Sequence, residues 1–236
     1  ISVADITLRK NAEKTLRTLS LKLLNAQEAE RKKVSRDLHD SIGAKLTGIK
    51  YSLEKLFADM KDAPISLKTT TKDLIDISLN TIEETQRIYK NLHPSVIDDI
   101  GLQAAIRDLI HEFQAIYSHI DIEIELDVEE NDIVDSLKIQ IYRVIQEALN
   151  NIAKHSDANK SRLILTKNNE EIQLIVEDNG KGFDLKNVFD EDGHTSGMGL
   201  ESMKERTELF EGIFKIKSDE GKGTMIEAFW PCGHNC

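Results

Sequence analysis

Three groups of residues in this chain have types and spacings that chemistry could use. The first is Ser35-Arg36-Asp37-Leu38-His39-Asp40-Ser41-Ile42-Gly43. On a helix His39 sits beside the apolar stripe of Leu38 and Ile42 but off it, so it should face solvent. A carboxylate next to an imidazole, here Asp40, can take the proton of one ring nitrogen and leave the other as a nucleophile. Spacing alone does not separate this from a solvated His–Asp pair. The second group is Gln146-Glu147-Ala148-Leu149-Asn150-Asn151-Ile152-Ala153-Lys154-His155. Glu147, Asn151 and His155 recur every four residues and so share one helix face, with Lys154 beside them. Oxygen donors from Glu147 and Asn151 suit Mg²⁺, which keeps several waters and bridges to phosphates. A solvated polar face would read the same way. The third group is Asp178-Asn179-Gly180-Lys181-Gly182-Phe183, followed by Ser196-Gly197-Met198-Gly199-Leu200. Glycines let backbone N–H groups close on phosphate oxygens, and a helix N-terminus adds a favourable partial charge. A buried Asp at a strand end can accept from an exocyclic amine such as that of adenine. Each glycine cluster is weak alone; in this order, behind the Asn-bearing helix, they reinforce one another.

These residues need elements to position them. Leu16, Leu19, Leu23 and Ala26 begin a seam that turns polar at Glu30 and Lys33. It resumes with Val34, Leu38, Ile42, Leu46, Ile49, Leu53 and Leu56. No proline occurs before Pro64, so the spacing predicts one helix of roughly fifty residues. A second stripe (Leu67, Leu74, Ile75, Ile77, Leu79, Ile82, Ile88) predicts a helix ending at His93-Pro94. Two such helices form an antiparallel hairpin with apolar stripes on both arms. Pairing with a second copy into a four-helix bundle buries them, so a homodimer is expected, with Leu46 in its seam. After Pro94 the periodicity predicts helices at 102–117, 135–155 and 198–211. Strands are predicted at 121–128, 162–166, 172–177, 213–218 and 224–230, around a glycine-rich loop at 178–199. The fold class is therefore α+β: a long-helix hairpin followed by an α/β sandwich.

Composition narrows the function. Of 236 residues, 31 are Lys or Arg and 42 are Asp or Glu, a formal charge of −11, which argues against a general nucleic-acid binder. No apolar run approaches the ~18 residues that span a bilayer. Cys232 and Cys236 stand in the last five residues with His234; three ligands on a tail lack a fourth, so residues 232–236 read as a frayed end.

The order of the segments 35–43, 147–155, 178–183, 197–206 and 221–224 resembles the sensor histidine kinases of two-component systems. Arg36-Asp37-Leu38-His39-Asp40 is similar to the phosphoacceptor pattern of the subfamily typified by nitrate and lipid-fluidity sensors. Asn91-Leu92-His93-Pro94 through Gly101-Leu102 resembles that subfamily's interdomain junction. The resemblance covers residues 28–231. It implies a phosphotransfer hairpin at 31–96, reached through a coiled-coil signalling helix at 13–30, and a Bergerat-type ATP-binding domain at 97–231. Residues 1–12, with the neighbouring Glu13, resemble the closing strand of a PAS sensor domain that would lie upstream.

By the same resemblance, His39 would be phosphorylated and Asp40 would be its base. Asn151 would hold Mg²⁺, with Glu147 assisting, and Lys154 and His155 would reach the phosphates of ATP. Asp178 would recognise adenine, with Thr224 behind it. Gly180, Gly182, Gly197 and Gly199 would hinge a lid at 184–196. The implied cofactors are ATP and Mg²⁺, and the implied partners are a second copy and a response-regulator receiver domain. The fragment is expected to be cytoplasmic and to make no membrane contact, any attachment of the parent chain lying further upstream. The rival reading is a non-catalytic dimeric nucleotide-binding scaffold, against which Asn151, Asp178, Gly197 and Gly199 speak. One position departs from the subfamily: where a glutamine commonly stands four residues after the acidic partner, this chain has Ala44, then Lys45. An alanine methyl holds no water, so the phosphatase activity toward the regulator is expected to be weak.

Overall fold

The computed structural model describes residues 3–168, 171–185 and 198–232. The chain divides into two compact units, Ile1–Ser95 and Val96–Cys236.

In the first unit α1 (Val3–Asp37) continues into α2 (Ala44–Asp59) through a wide π-helical turn at Leu38–Gly43. Val34, Leu38, Ile42 and Leu46 stand at three successive spacings of four, which would carry the stripe about 120° around a straight α-helix. A π turn takes in one extra residue, about 100°, and brings the stripe nearly back to one side. The strand expected near the start is corrected: the chain is helical from Val3. A strand needs a neighbouring edge to bond, whereas the run Lys10-Asn11-Ala12-Glu13-Lys14 closes its bonds within a helix. Helix α3 (Ile65–Leu92) starts after Pro64 and stops at His93, which is extended (φ −153°, ψ 122°) as the residue before Pro94 must be.

Thr71 and Ser78 are the buried positions of α3, and small side chains let helices approach closely. Their hydroxyls donate to the carbonyls of Leu67 (2.9 Å) and Leu74 (2.8 Å). Across the hairpin, the buried Ser35 donates to the Tyr89 carbonyl at 2.9 Å. The apolar stripe left uncovered is part of the expected seam. Leu46 is already half-buried in the single chain. Ile42, Ile49 and Leu56, seven residues apart, are exposed, as are Leu67, Leu74, Ile77 and Ile88 on α3. Among the described residues no helix is long and apolar enough to cross a membrane.

The second unit contains α5 (Leu102–Ile116), β1 (Asp121–Asp127), α6 (Asp135–Asn151), β2 (Lys160–Asn168) and β3 (Glu171–Asp178). After these come α7 (Met198–Leu209), β4 (Ile213–Asp219) and β5 (Gly223–Pro231); a short helix, α4 (Ser95–Ile100), precedes α5. The strands form one sheet in the order β1-β2-β3-β5-β4. β1 runs parallel to β2 and all other neighbours are antiparallel. The parallel pair follows from α6, a helical crossover between two strands of the same sheet. Alternation puts Leu163, Leu165, Ile172, Leu174, Val176, Ile226, Ala228 and Trp230 in the core. Ile106, Ile110, Ile141, Ile145, Leu149 and Met203 of α5, α6 and α7 join the same cluster. Arg162–Glu125 (3.0 Å) and Lys217–Glu227 (2.9 Å) ion pairs lie among the alternate positions of the strands.

Candidate functional site

Asp178 is the last residue of β3 and is buried, although it is a carboxylate. Burial raises its pKa above the ordinary carboxylate value, against the lowering effect of backbone hydrogen bonds from Gly180 and Thr224. The Gly180 N–H donates to Asp178 Oδ1 at 2.8 Å. Thr224 is paired with Asp178 across β3 and β5. Its hydroxyl lies 3.0 Å from that of Ser218, which itself donates to the Gly223 carbonyl at 3.1 Å. With the Ser218 proton committed to Gly223, Thr224 donates to Ser218. The Phe183 N–H donates to the same Ser218 oxygen at 2.9 Å, tying the loop after Asp178 to β4.

The loop is also fastened to the end of α6. That helix widens into a π turn over Ile152–Ser156 and stops at Asp157, which is left-handed (φ 55°). The Lys181 N–H donates to the Ser156 carbonyl at 2.7 Å. Asn179 Oδ1 accepts from the backbone N–H of Asn159 (3.1 Å) and Lys160 (3.0 Å). The widening keeps Lys154 and His155 on the side reached by Glu147 and Asn151, and all four line one cavity of about 640 Å³. Ala148, Ile152, Val176, Leu200 and Ile226 give that cavity apolar walls, and Asp178, Thr224, Lys181, Gly182 and Gly199 also line it. An aliphatic slot with one buried acceptor suits a flat heterocycle bearing an amine; a cation, an imidazole and an amide on the same wall suit its phosphates.

Two glycines expected to hinge a lid have other surroundings. Gly180 does not line the cavity. A Cβ there would overlap the Ser156 carbonyl and stand 2.7 Å from Asp178 Oδ1, so its small size permits the cap on Asp178. At Gly199 a Cβ would stand 3.2 Å from Glu147 Cδ, so the first turn of α7 lies against that carboxylate. Gly197 lies outside the described residues, as do His234, Cys236 and all of the expected lid except Asp184 and Leu185.

In the first unit His39 occupies the π turn. Its Nδ1 is 3.1 Å from Asp40 Oδ1, and the two side chains are 63% and 68% exposed. The carboxylate places the ring proton on Nδ1 and leaves the lone pair on Nε2. An imidazole so arranged, in the open, has the chemistry to act as a nucleophile through Nε2.

Residues 30–97 match the family described as "Histidine kinase". Residues 136–234 match the family described as "Histidine kinase-, DNA gyrase B-, and HSP90-like ATPase". Sensor histidine kinase MctS of Rhizobium johnstonii is 33% identical over 235 residues, covering 96% of this chain and 48% of the relative. Sensor histidine kinase LiaS of Bacillus subtilis is 32% identical over 202 residues (86% and 54%). Oxygen sensor histidine kinase NreB of Staphylococcus carnosus is 33% identical over 212 residues (89% and 58%). This chain belongs to the sensor histidine kinases. It spans about half the length of the curated relatives it matches.

His39 and Asp40 fall in the first matched region of this histidine kinase chain; Glu147, Asn151, Lys154, His155, Asp178 and Thr224 fall in the second, the ATP-binding unit. Sequence reasoning missed the apolar walls Val176 and Ile226, although both were readable. Each stands two residues from a polar site residue on its strand, so it shares that residue's face. Ser156 and Ser218 carried no signal, because their partners are backbone groups distant in sequence.

Proposed function

We propose that this chain is the transmitter portion of an ATP-dependent protein histidine kinase. His39 Nε2 attacks the γ-phosphorus of ATP, the bond from that phosphorus to the ADP oxygen breaks, and Asp40 takes the Nδ1 proton. An aspartate of a response-regulator receiver domain then attacks the phosphorus. The Nε2–P bond breaks and the proton returns from Asp40 to Nδ1. The transition state needs charge neutralisation and alignment more than covalent help. Asp178 binds the adenine amine, with Thr224 completing that wall, while Lys154 and His155 meet the phosphates. Glu147 and Asn151 fit Mg²⁺, because two oxygen donors beside a phosphate site leave the remaining positions to water and phosphate. When bound, the metal neutralises charge on the transferring group. Gly180 and Gly182 on one side and Gly197 and Gly199 on the other bracket in sequence the segment 184–196, which would close over the phosphates.

The observation that carries the reading is the exposed His39 ring with its Nδ1 on Asp40. The exposed stripes Ile42–Ile49–Leu56 and Leu67–Leu74–Ile88 support a homodimer closed as a four-helix bundle. An ATP-consuming transmitter belongs in the cytoplasm. Ala44 is exposed at the start of α2 and Lys45 reaches the Ser41 hydroxyl (3.4 Å), so no amide stands one turn after Asp40. That supports a weak phosphatase. Incubation with γ-labelled ATP and Mg²⁺ tests the reading: an acid-labile, base-stable label is expected, lost in His39→Gln. An unlabelled wild type, or a labelled His39→Gln, would leave the non-catalytic scaffold in its place. Ala44→Gln is expected to gain phosphatase activity on purified phospho-regulator; rapid, dose-dependent dephosphorylation by the wild type would refute the weak-phosphatase reading.

A further inference from the structure

His39 has an aromatic neighbour on the other arm of the hairpin. The Tyr89 ring, from the last turn of α3, meets the imidazole edge to face, with centroids 5.2 Å apart and planes at 89°. Tyr89 is itself held in place. Its carbonyl accepts the Ser35 hydroxyl at 2.9 Å and the His93 N–H at 3.0 Å. Ser35 is buried and precedes His39 by one turn of the same helical rod. The backbone carrying Tyr89 is thus bonded to the His39 arm at the level of the phosphoacceptor.

An exposed side chain explores its rotamers in picoseconds to nanoseconds, and the His39 side chain is 63% exposed. Asp40 decides which nitrogen bears the proton, yet a hydrogen bond to the adjacent residue lets ring and carboxylate swing together. An aromatic surface fixed on the opposite helix removes that freedom. We propose that Tyr89 is a positioning residue: its ring holds the His39 imidazole so that Nδ1 stays on Asp40 and Nε2 stays presented to the phosphoryl donor. The inference rests on His39 being the phosphoacceptor, and adds a residue that lies outside the motif around it. A ring pair of this geometry shifts a conformational equilibrium about 2- to 12-fold.

The test compares Tyr89→Phe, Tyr89→Leu and Tyr89→Ala in the full 236-residue chain. Phe keeps the ring, Leu keeps much of the apolar bulk without it, and Ala keeps neither. Nitrogen-15 shifts of the His39 ring in ATP-free protein report the tautomer; autophosphorylation rates separate turnover at saturating ATP from KM. Tyr89→Phe is expected to match wild type in both. Tyr89→Leu and Tyr89→Ala are expected to lose about 2- to 12-fold in saturating rate with KM unchanged, and to show mixed His39 tautomers. A Tyr89→Leu protein indistinguishable from wild type would assign Tyr89 to packing and overturn the proposal. So would a Tyr89→Phe protein as impaired as Tyr89→Leu, or unaltered His39 shifts in Tyr89→Leu. A wild type that takes no label, yet shows a fixed Nδ1–H tautomer lost in Tyr89→Leu, would support the ring contact and remove the kinase reading instead.

Discussion

Replacing Gly199 by alanine separates the stability of the ATP-binding unit from its chemistry. Gly199 lies in the first turn of α7, where alanine is favoured over glycine by up to about 1 kcal/mol. The atoms in the way of a methyl belong to the far end of the Glu147 side chain: Cδ at 3.2 Å, with Oε1 nearer still. That end is flexible, so the fold should tolerate the change, and the melting temperature of the unit should hold or rise slightly. The carboxylate, however, must withdraw by about 1 Å to regain ordinary contact distance. If Glu147 polarises the imidazole or orients a metal-bound water, a displacement of that size costs up to about 10²-fold, or ~2.7 kcal/mol of barrier. The expected protein binds a fluorescent ATP analogue within a few-fold of wild type but labels His39 about 10- to 100-fold more slowly at saturating ATP. The double variant with Glu147→Ala should be no slower than Glu147→Ala alone, because both changes act on one carboxylate. Full activity in Gly199→Ala would show that the position of Glu147 is immaterial, and a large fall in melting temperature would show that the methyl meets something less yielding than a side-chain tip.

The other predictions concern the stripe, the buried acid and the β4–β5 turn. Ile49 is 51% exposed in the single chain, so Ile49→Glu forfeits about 1 kcal/mol of burial per protomer and puts a charge in the bundle; the dimer should weaken by at least ~30-fold by sedimentation, and an unchanged profile would show that the stripe is not the interface. Because burial raises the Asp178 pKa, the folded state holds its proton more tightly than the unfolded chain does. This carboxyl therefore erodes stability as pH rises from its unfolded value through the raised one, and not above it. Asp178→Asn should accordingly flatten that part of the stability–pH curve while weakening ATP-analogue binding about 10- to 100-fold; a steeper curve or unaltered binding would contradict the assignment. Gly223 has φ +81°, and a Cβ there would overlap the Asp178 carbonyl and stand 3.1 Å from Asn179 Cα. Gly223→Ala should thus destabilise the unit by about 2 kcal/mol or more in thermal unfolding; a neutral result would refute the close approach of β5 to that loop.

What could be read before folding was whatever repeats along the chain. Ile122, Ile124 and Leu126 alternate and form β1, while Val144, Ala148 and Ile152 recur every four residues along α6 and its π turn, beside the row of Glu147 and Asn151. The parallel pairing of β1 with β2 was not legible, because strand order depends on where α6 packs and no local pattern records it. Nor was the choice between Leu46 and Ile49 as the outward residue, since both lie on the same broad apolar arm and only the position of α3 decides. The site followed the same division. Asp178, Asn151 and His39 stand out by type and neighbours, whereas the bond from the Gly180 N–H to Asp178, and the need for a glycine there, are visible only once Ser156 stands behind it. Tyr89 gave no signal, because its partner lies on the opposite arm.

The π turn at Leu38–Gly43 has a consequence for anyone joining this chain to another. Rotational phase along a helical rod is set by residue count, about 100° per residue, and here the count is interrupted at the very segment that carries His39. Upstream sequence is therefore in step with Val34, not with Ala44. A chimera joined before Val34 in matching phase inherits the splice intact. One whose junction straightens the turn while keeping all of its residues yields a smooth α-helix that is turned by about 100°, nearly a third of a revolution, against the hairpin, whereas dropping a single residue there restores the phase. Fusions with fully functional parts would then fail on angle alone, and their activity should recur with a period set by the helix as linker residues are added one at a time.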